Sequence, residues 1–176
     1  MTNRSVLVAV VCAILLAPTS ARAQDHPPQT KSHAAEITPF VFLGSGATSG
    51  VGAAVRWPLV SRLSVELETS YRRAEIAGLS TNLSLLFDLP RMGPVTPYVA
   101  GGVGLDQYGT PEVLTDGRVV ARKRTAFSVN AGGGVRVQAG ENWGMRTDAR
   151  WSKDIGRFAP ERFRLYNGVT FGRTER

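Results

Sequence analysis

The sequence predicts an all-β chain closing into an antiparallel, up-and-down barrel of eight strands, and three observations predict it. Apolar or small residues alternate with polar or charged ones in segment after segment from Glu36 to Phe171. A period of two places successive side chains on opposite faces of a strand. The segments form an even set of eight, each of about 8 to 11 residues, near the roughly 9 to 11 that a tilted membrane strand requires. The connections read as alternating, with turns at the second, fourth and sixth and longer loops at the first, third, fifth and seventh, so the loops fall at one rim.

Residues 1–23 read as a secretory signal peptide. Arg4 supplies the positive start, Val6–Ala17 an apolar run of twelve residues, and Pro18 breaks it. Ala21-Arg22-Ala23 then fits a small-x-small cleavage site before Gln24. The run is shorter than the roughly 17 to 25 residues of a spanning helix. Cys12, the one cysteine, leaves with this segment; the apolar run continues past it, unlike a lipidation site. The remaining 153 residues suit one domain without disulfides, and the formal charge drops from +7 to +5 with Arg4 and Arg22 gone. Closing a sheet on itself would stabilise a small secreted domain that has no cross-links.

Residues 24–35 hold Pro27-Pro28, His26 and His33 without apolar period, and are expected to be a disordered tail. Residues 36–176 are the barrel. The first strand, Glu36–Gly44, sets Ile37, Val41 and Leu43 on one face, with Pro39 making its start irregular. The second, Val51–Trp57, sets Val51, Ala53, Val55 and Trp57 opposite Arg56, and Pro58–Arg62 reads as a turn. The third, Leu63–Arg73, alternates most strictly, with Glu66 and Glu68 on its polar face. The fourth, Leu79–Leu89, returns with Leu83, Leu85 and Phe87 on one face; its helical alternative conflicts with the alternation around it. The fifth is Val95–Leu105, followed by Asp106–Lys123 as the longest connection, with Asp116-Gly117 as a hairpin turn inside it. The sixth and seventh, Thr125–Gln138 and Trp143–Ser152, meet at the turn Ala139-Gly140-Glu141-Asn142 and carry Arg136, Arg146, Asp148 and Arg150 on one face. Lys153–Pro160 reads as a loop, and Arg162–Phe171 as the eighth strand, with Asn167 out of pattern on its apolar face.

Alternation alone fits either a soluble β-protein with its apolar face inside or a transmembrane β-barrel with that face outside. The alternating connection lengths favour the second, and two further features do as well. Trp57, Tyr71, Phe87, Trp143, Trp151 and Phe171 lie near the ends of the apolar faces, where membrane barrels carry aromatic girdles. The polar faces carry Arg56, Glu66, Glu68, Arg72, Arg136, Arg146, Asp148, Arg150 and Arg164, too many charges for a soluble core; all of these but Arg72 are assigned to an ion-pair network in a barrel lumen. Eight strands enclose a space that side chains fill. The soluble alternative is a periplasmic or secreted barrel binding a small apolar ligand.

From Glu36 to Phe171 the chain resembles the small eight-stranded outer-membrane β-barrel proteins of the OmpA-type and OmpX-type class. Tyr166–Phe171 looks like the terminal strand that such proteins present to the barrel-assembly machinery, although Gly172–Arg176 follows it. The resemblance implies an outer-membrane location, lipid contacts, a monomer and a structural or surface-interaction role.

Glycines 101, 102, 104, 132, 133 and 134 lie inside strands with no helix following, so they are not a phosphate loop. Gly102, Gly104, Gly132 and Gly134 are expected to make room in the lumen. Some barrels of this class modify lipid A with a histidine; here both histidines precede the barrel, so no Ser–His arrangement is expected and no catalytic residue is assigned. No cofactor, metal or nucleic acid is expected. Arg72 and Arg73, then Arg118, Arg122, Lys123 and Arg124, then Lys153, Arg157 and Arg162 would form a basic rim. Of these, Arg122, Lys123, Arg124, Lys153 and Arg157 are the candidates for contact with lipopolysaccharide phosphates, the alternative being an ordinary solvated loop surface.

Overall fold

A computed structural model of the chain describes residues 35–45, 48–73, 77–113, 116, 118–155 and 161–172. The segments expected to be signal peptide and tail, up to residue 34, and Arg157 lie outside the described residues. Eight strands follow one another: β1 Glu36–Gly44, β2 Thr48–Val60, β3 Leu63–Arg73, β4 Gly78–Asp88, β5 Val95–Val113, β6 Val119–Gln138, β7 Trp143–Asp154 and β8 Glu161–Phe171. Each pairs antiparallel with its neighbours in sequence, and β1 pairs with β8 to close the barrel.

Strand parity sorts the side chains. Leu67, Leu83, Leu85, Val99, Val103 and Leu165 point outward and are exposed, whereas Ser64, Glu66, Glu68, Ser84 and Asp148 point inward and are buried. The outer face is therefore the apolar one. Its aromatic residues gather at two levels, Trp57, Phe87, Trp143 and Phe171 at one and Tyr71, Trp151 and Phe163 at the other. At ~3.3 Å per residue and a ~40° tilt, Leu63 to Tyr71 of β3 rises roughly 20 Å, near the ~25 Å apolar band of membrane barrels.

Two inward faces are apolar. Phe40, Phe42, Ala54 and Tyr166 form one buried cluster, and Leu86, Tyr98 and Ala100 another. Phe40 stacks on Tyr166 with ring centroids 4.5 Å apart. Inward Gly50 and Gly52 leave the space these phenyl rings occupy; a Cβ on either would collide with Phe42 or Phe40.

The expected alternation of connection lengths does not hold. The fourth connection, 89–94, is longer than the first, 45–47. The two rims differ instead in strand length. β5 and β6 run 19 and 20 residues and stay paired to Val113↔Val119, past the last β4 partner, Gly78↔Tyr108, and the last β7 partner, Ser128↔Asp154. Asp106–Lys123 is thus mostly hairpin arm rather than loop. Beyond the belt a strand needs no apolar face, so backbone pairing continues after the alternation stops. For the same reason Lys153 and Asp154 belong to β7, and Pro58 to Val60 to β2, where a register shift absorbs the proline. The out-of-pattern Asn167 sits on the outer face and accepts a 2.6 Å hydrogen bond from Thr147, its β7 neighbour.

Candidate functional site: the charged lumen and its basic rim

The lumen is filled by three tiers of ion pairs. In the central tier Glu66 accepts hydrogen bonds from both terminal nitrogens of Arg146, and from Arg150 Nη2 at 2.7 Å. Asp148 accepts from Arg146 Nη2 at 3.0 Å and Arg150 Nε at 3.1 Å. It also accepts from the Tyr98 hydroxyl, and from that of Tyr166 at 3.1 Å. Arg164 clamps Glu68 through two nitrogens, at 2.6 and 2.7 Å, and Asn82 donates to the same carboxylate at 3.1 Å. Glu66, Glu68 and Asp148 are 0% exposed, and Arg146 and Arg150 at most 2%. Charges so far from water persist only when paired and hydrogen-bonded on most of their polar atoms, which is the case here. The Arg146 guanidinium also lies 4.9 Å from the Tyr98 ring centre and 5.3 Å from that of Tyr166.

Toward the turn rim, Arg56 bridges Glu36 at 3.0 Å and Asp88 at 2.8 Å, and Arg136 reaches the same two carboxylates at 3.3 and 2.5 Å. Toward the hairpin rim, Arg162 joins Asp106 at 2.8 Å and also binds Asp154, while Ser80 donates to Asp106. Arg72 stands beside this group. A cavity of about 60 Å³ opens at this level, with Arg72, Arg162, Asp106 and Asn130 in its wall. Each tier is balanced: two arginines face two carboxylates at either end, and three face three in the middle. The chain's positive excess therefore lies outside the lumen.

Small residues on β5 and β6 make the central tier possible. A Cβ at Gly134 would stand 2.2 Å from the Thr147 carbonyl oxygen and 2.6 Å from the Tyr98 hydroxyl, and one at Gly132 would stand 2.2 Å from the Ala149 carbonyl oxygen and 2.9 Å from Arg150 Cγ. These glycines are the hollows into which the long side chains fold.

Outside the lumen, exposed Arg73, Arg118, Arg122, Lys123, Arg124 and Lys153 gather at the hairpin rim. Lys153 pairs with Glu161 at 2.8 Å and Arg118 with Asp116 at 2.7 Å. The Arg118 backbone N–H and guanidinium, both hydrogen-bonded to Asp116, hold its carboxyl below the usual aspartate range. Arg122, Lys123 and Arg124 lie on the β6 arm rather than in a loop.

Arg56, Glu66, Glu68, Arg136, Arg146, Asp148, Arg150 and Arg164 all lie in the lumen and all carry ion pairs. Arg56 and Arg136 meet Glu36 and Asp88 rather than the two glutamates of β3. The sequence reading left out Glu36, Asp88, Asp106, Asp154 and Arg162 as network members. Strand parity carried the signal for Asp88 and Glu36, whereas Asp106 and Asp154 fell in stretches read as loop. Arg162, expected to project from the rim, instead turns inward, because β8 keeps its inward parity there; Arg72, read both on the polar face of the third strand and at the rim, also faces the lumen.

No protein-family model matches the sequence, and no curated protein matches it. Solved structures share its fold. The N-terminal β-barrel domain of Pseudomonas aeruginosa OprF aligns at a TM-score of 0.62 and 18% identity, covering 79% of this chain and 96% of that one. Neisserial surface protein A aligns at 0.58 and 15%, covering 79% and 94%. The outer membrane enzyme PagL aligns at 0.51 and 11%, covering 77% and 98%. At these identities the likeness is one of fold: this chain has the eight-stranded barrel architecture of small outer-membrane proteins. An enzyme shares that architecture, so fold does not decide activity.

Proposed function

We propose that this chain is a non-enzymatic barrel of the bacterial outer membrane, with a plugged lumen and a basic hairpin rim that contacts lipopolysaccharide phosphates. The observation that carries this reading is the inverted distribution of polarity. Paired charges fill the interior, while the exterior is an apolar belt bounded by aromatic residues. That is the arrangement a lipid environment favours, since lipid solvates apolar side chains and offers charges nothing. A soluble barrel binding an apolar ligand would need the reverse, and the charged wall of the lumen cavity suits no such ligand.

Several observations support the finer statements. Closely paired side chains cross the lumen at every level, which favours a structural plug over an open channel. Both histidines precede the barrel in sequence, which favours a role other than Ser–His hydrolysis. At the rim Asp116 pairs with Arg118 and Glu161 with Lys153, and Arg122, Lys123 and Arg124 stand exposed together on one arm. Guanidinium and ammonium groups so placed suit phosphate groups at the head of a lipid.

Cell fractionation with a boiled–unboiled gel comparison tests the location. Outer-membrane recovery with a mobility shift is expected; recovery in the soluble periplasm without a shift would refute it. Replacing Arg122, Lys123 and Arg124 together with Ser should weaken lipopolysaccharide binding by the folded barrel, and unchanged binding would remove the rim from the proposal.

A further inference from the structure

The cavity at the hairpin rim is rich in arginine, and the tier around it is balanced in charge without every arginine being directly paired. Its wall carries the guanidinium groups of Arg72, Arg150, Arg162 and Arg164 against one carboxylate, that of Asp106. Three of these four are committed elsewhere. Arg164 holds Glu68, Arg150 holds Glu66 and Asp148, and Arg162 holds Asp106 and Asp154. Arg72 is different. Among the described residues no carboxylate contacts it directly, and Asp106 and Asp154 act on it only through space, partly opposed by Arg162.

A half-buried guanidinium with an unoccupied fork presents parallel N–H donors spaced for the oxygens of a carboxylate or phosphate. The deeper wall adds the side chains of Asn82 and Asn130, each 6% exposed. Asn130 donates one amide hydrogen toward Asn82 at 3.4 Å and has a second to give. The cavity, of about 60 Å³, has room for a group of phosphoryl size.

We propose that this cavity binds a small tetrahedral oxyanion of the phosphate or sulfate class, with Arg72 as its anchor and the Asn130 amide as a second donor. The ion comes either free from the medium or as the phosphoryl group of an outer-leaflet lipid. The two sources share one recognition chemistry and are separated by experiment. The site is distinct from the Arg122–Arg124 surface: Arg72 lies on β3 and faces the lumen, whereas those residues lie on the protruding arm of β6.

The test uses the refolded full chain in detergent micelles, labelled with nitrogen-15. Inorganic phosphate is titrated at constant ionic strength against chloride while the Arg72 Nε–H signal is followed. A saturable shift absent in chloride is expected. Arg72→Gln should weaken binding about ten-fold or more, the change expected for one lost charge-assisted bond. Arg73→Gln, on the outer side of the same strand, should leave it unchanged. Ser152→Leu, which fills the cavity from β7, should also abolish binding and replaces Arg72→Gln if that variant does not fold. Competition by lipid A added to the micelles would assign the lipid headgroup as the source, and lack of competition the free ion. No saturable shift beyond chloride, or binding retained in both Arg72→Gln and Ser152→Leu, would overturn the proposal.

Discussion

Glu66→Gln tests whether the lumen is held together by mutual neutralisation. The substitution keeps the side chain's size and one acceptor oxygen and removes its charge. In the native chain this carboxylate is 0% exposed and accepts hydrogen bonds from Arg146 and Arg150. Without it, the central tier sets Arg146, Arg150 and Arg164 against only Asp148 and Glu68. Removing one partner of a buried pair costs ~3–5 kcal/mol, chiefly through the charge left uncompensated. Asp148 still contacts both Arg146 and Arg150, so the expected loss lies at the lower end, about 3 kcal/mol. Glu66→Met with Arg146→Met restores the balance, with Arg150 and Arg164 facing Asp148 and Glu68. It should cost less than the sum of the single changes, with a coupling of about 2 kcal/mol. The assay is equilibrium urea unfolding from lipid vesicles, read by the fluorescence of Trp57, Trp143 and Trp151 on the outer face. A Glu66→Gln loss below about 1 kcal/mol, or strict additivity in the double variant, would refute the reasoning.

Three further outcomes follow from the same geometry. Gly134→Val places a Cβ 2.2 Å from the Thr147 carbonyl oxygen and 2.6 Å from the Tyr98 hydroxyl, which donates to Asp148, and should destabilise the barrel by ~1–3 kcal/mol in the same unfolding assay; an unchanged urea midpoint would show that strand and lumen can yield there. Leu83→Arg, at the middle of the outer face of β4, should cost ~2–4 kcal/mol in vesicles, whereas little effect would argue against a lipid-facing belt. Asp116 should titrate below an ordinary aspartate by carbon-13 NMR, and Arg118→Ala should raise its pKa only part of the way, since the backbone donor remains. Because the folded value is depressed, this contact stabilises the hairpin tip above the ordinary aspartate range and is lost as pH falls through the lowered value. An Asp116 titration that Arg118→Ala does not move would contradict that account.

Within the belt the sequence was sufficient. β1 and β3 run over the residues their alternation predicts, because lipid or core on one side and polar groups on the other impose the period of two. Outside the belt that constraint lapses. From Asp106 onward β5 reads Asp-Gln-Tyr-Gly-Thr-Pro, with no apolar face to mark a strand, yet its backbone goes on pairing with β6. The error about the longest connection, and the placement of Arg162 at the outer rim, both come from reading loss of alternation as loss of strand.

The candidate site was legible in kind rather than in detail. Parity along single strands was enough to assign Arg146, Asp148 and Arg150 to the lumen. It gave no sign that Arg146 meets Glu66, 80 positions earlier, or that Arg56 and Arg136 share Glu36 and Asp88. Nor did it place Phe40 and Phe42, since β1 is apolar on both faces and only the hollows left by Gly50 and Gly52 draw those rings inside. By itself the sequence determined the strand count, the faces of the strands that alternate strictly and the sign of the interior, because these follow from a local period and from the cost of burying charge. Tertiary structure alone decided which cation meets which anion and that, among the described residues, no carboxylate contacts Arg72 directly. Those contacts depend on the register around the closed barrel, which brings together side chains that no short-range pattern relates.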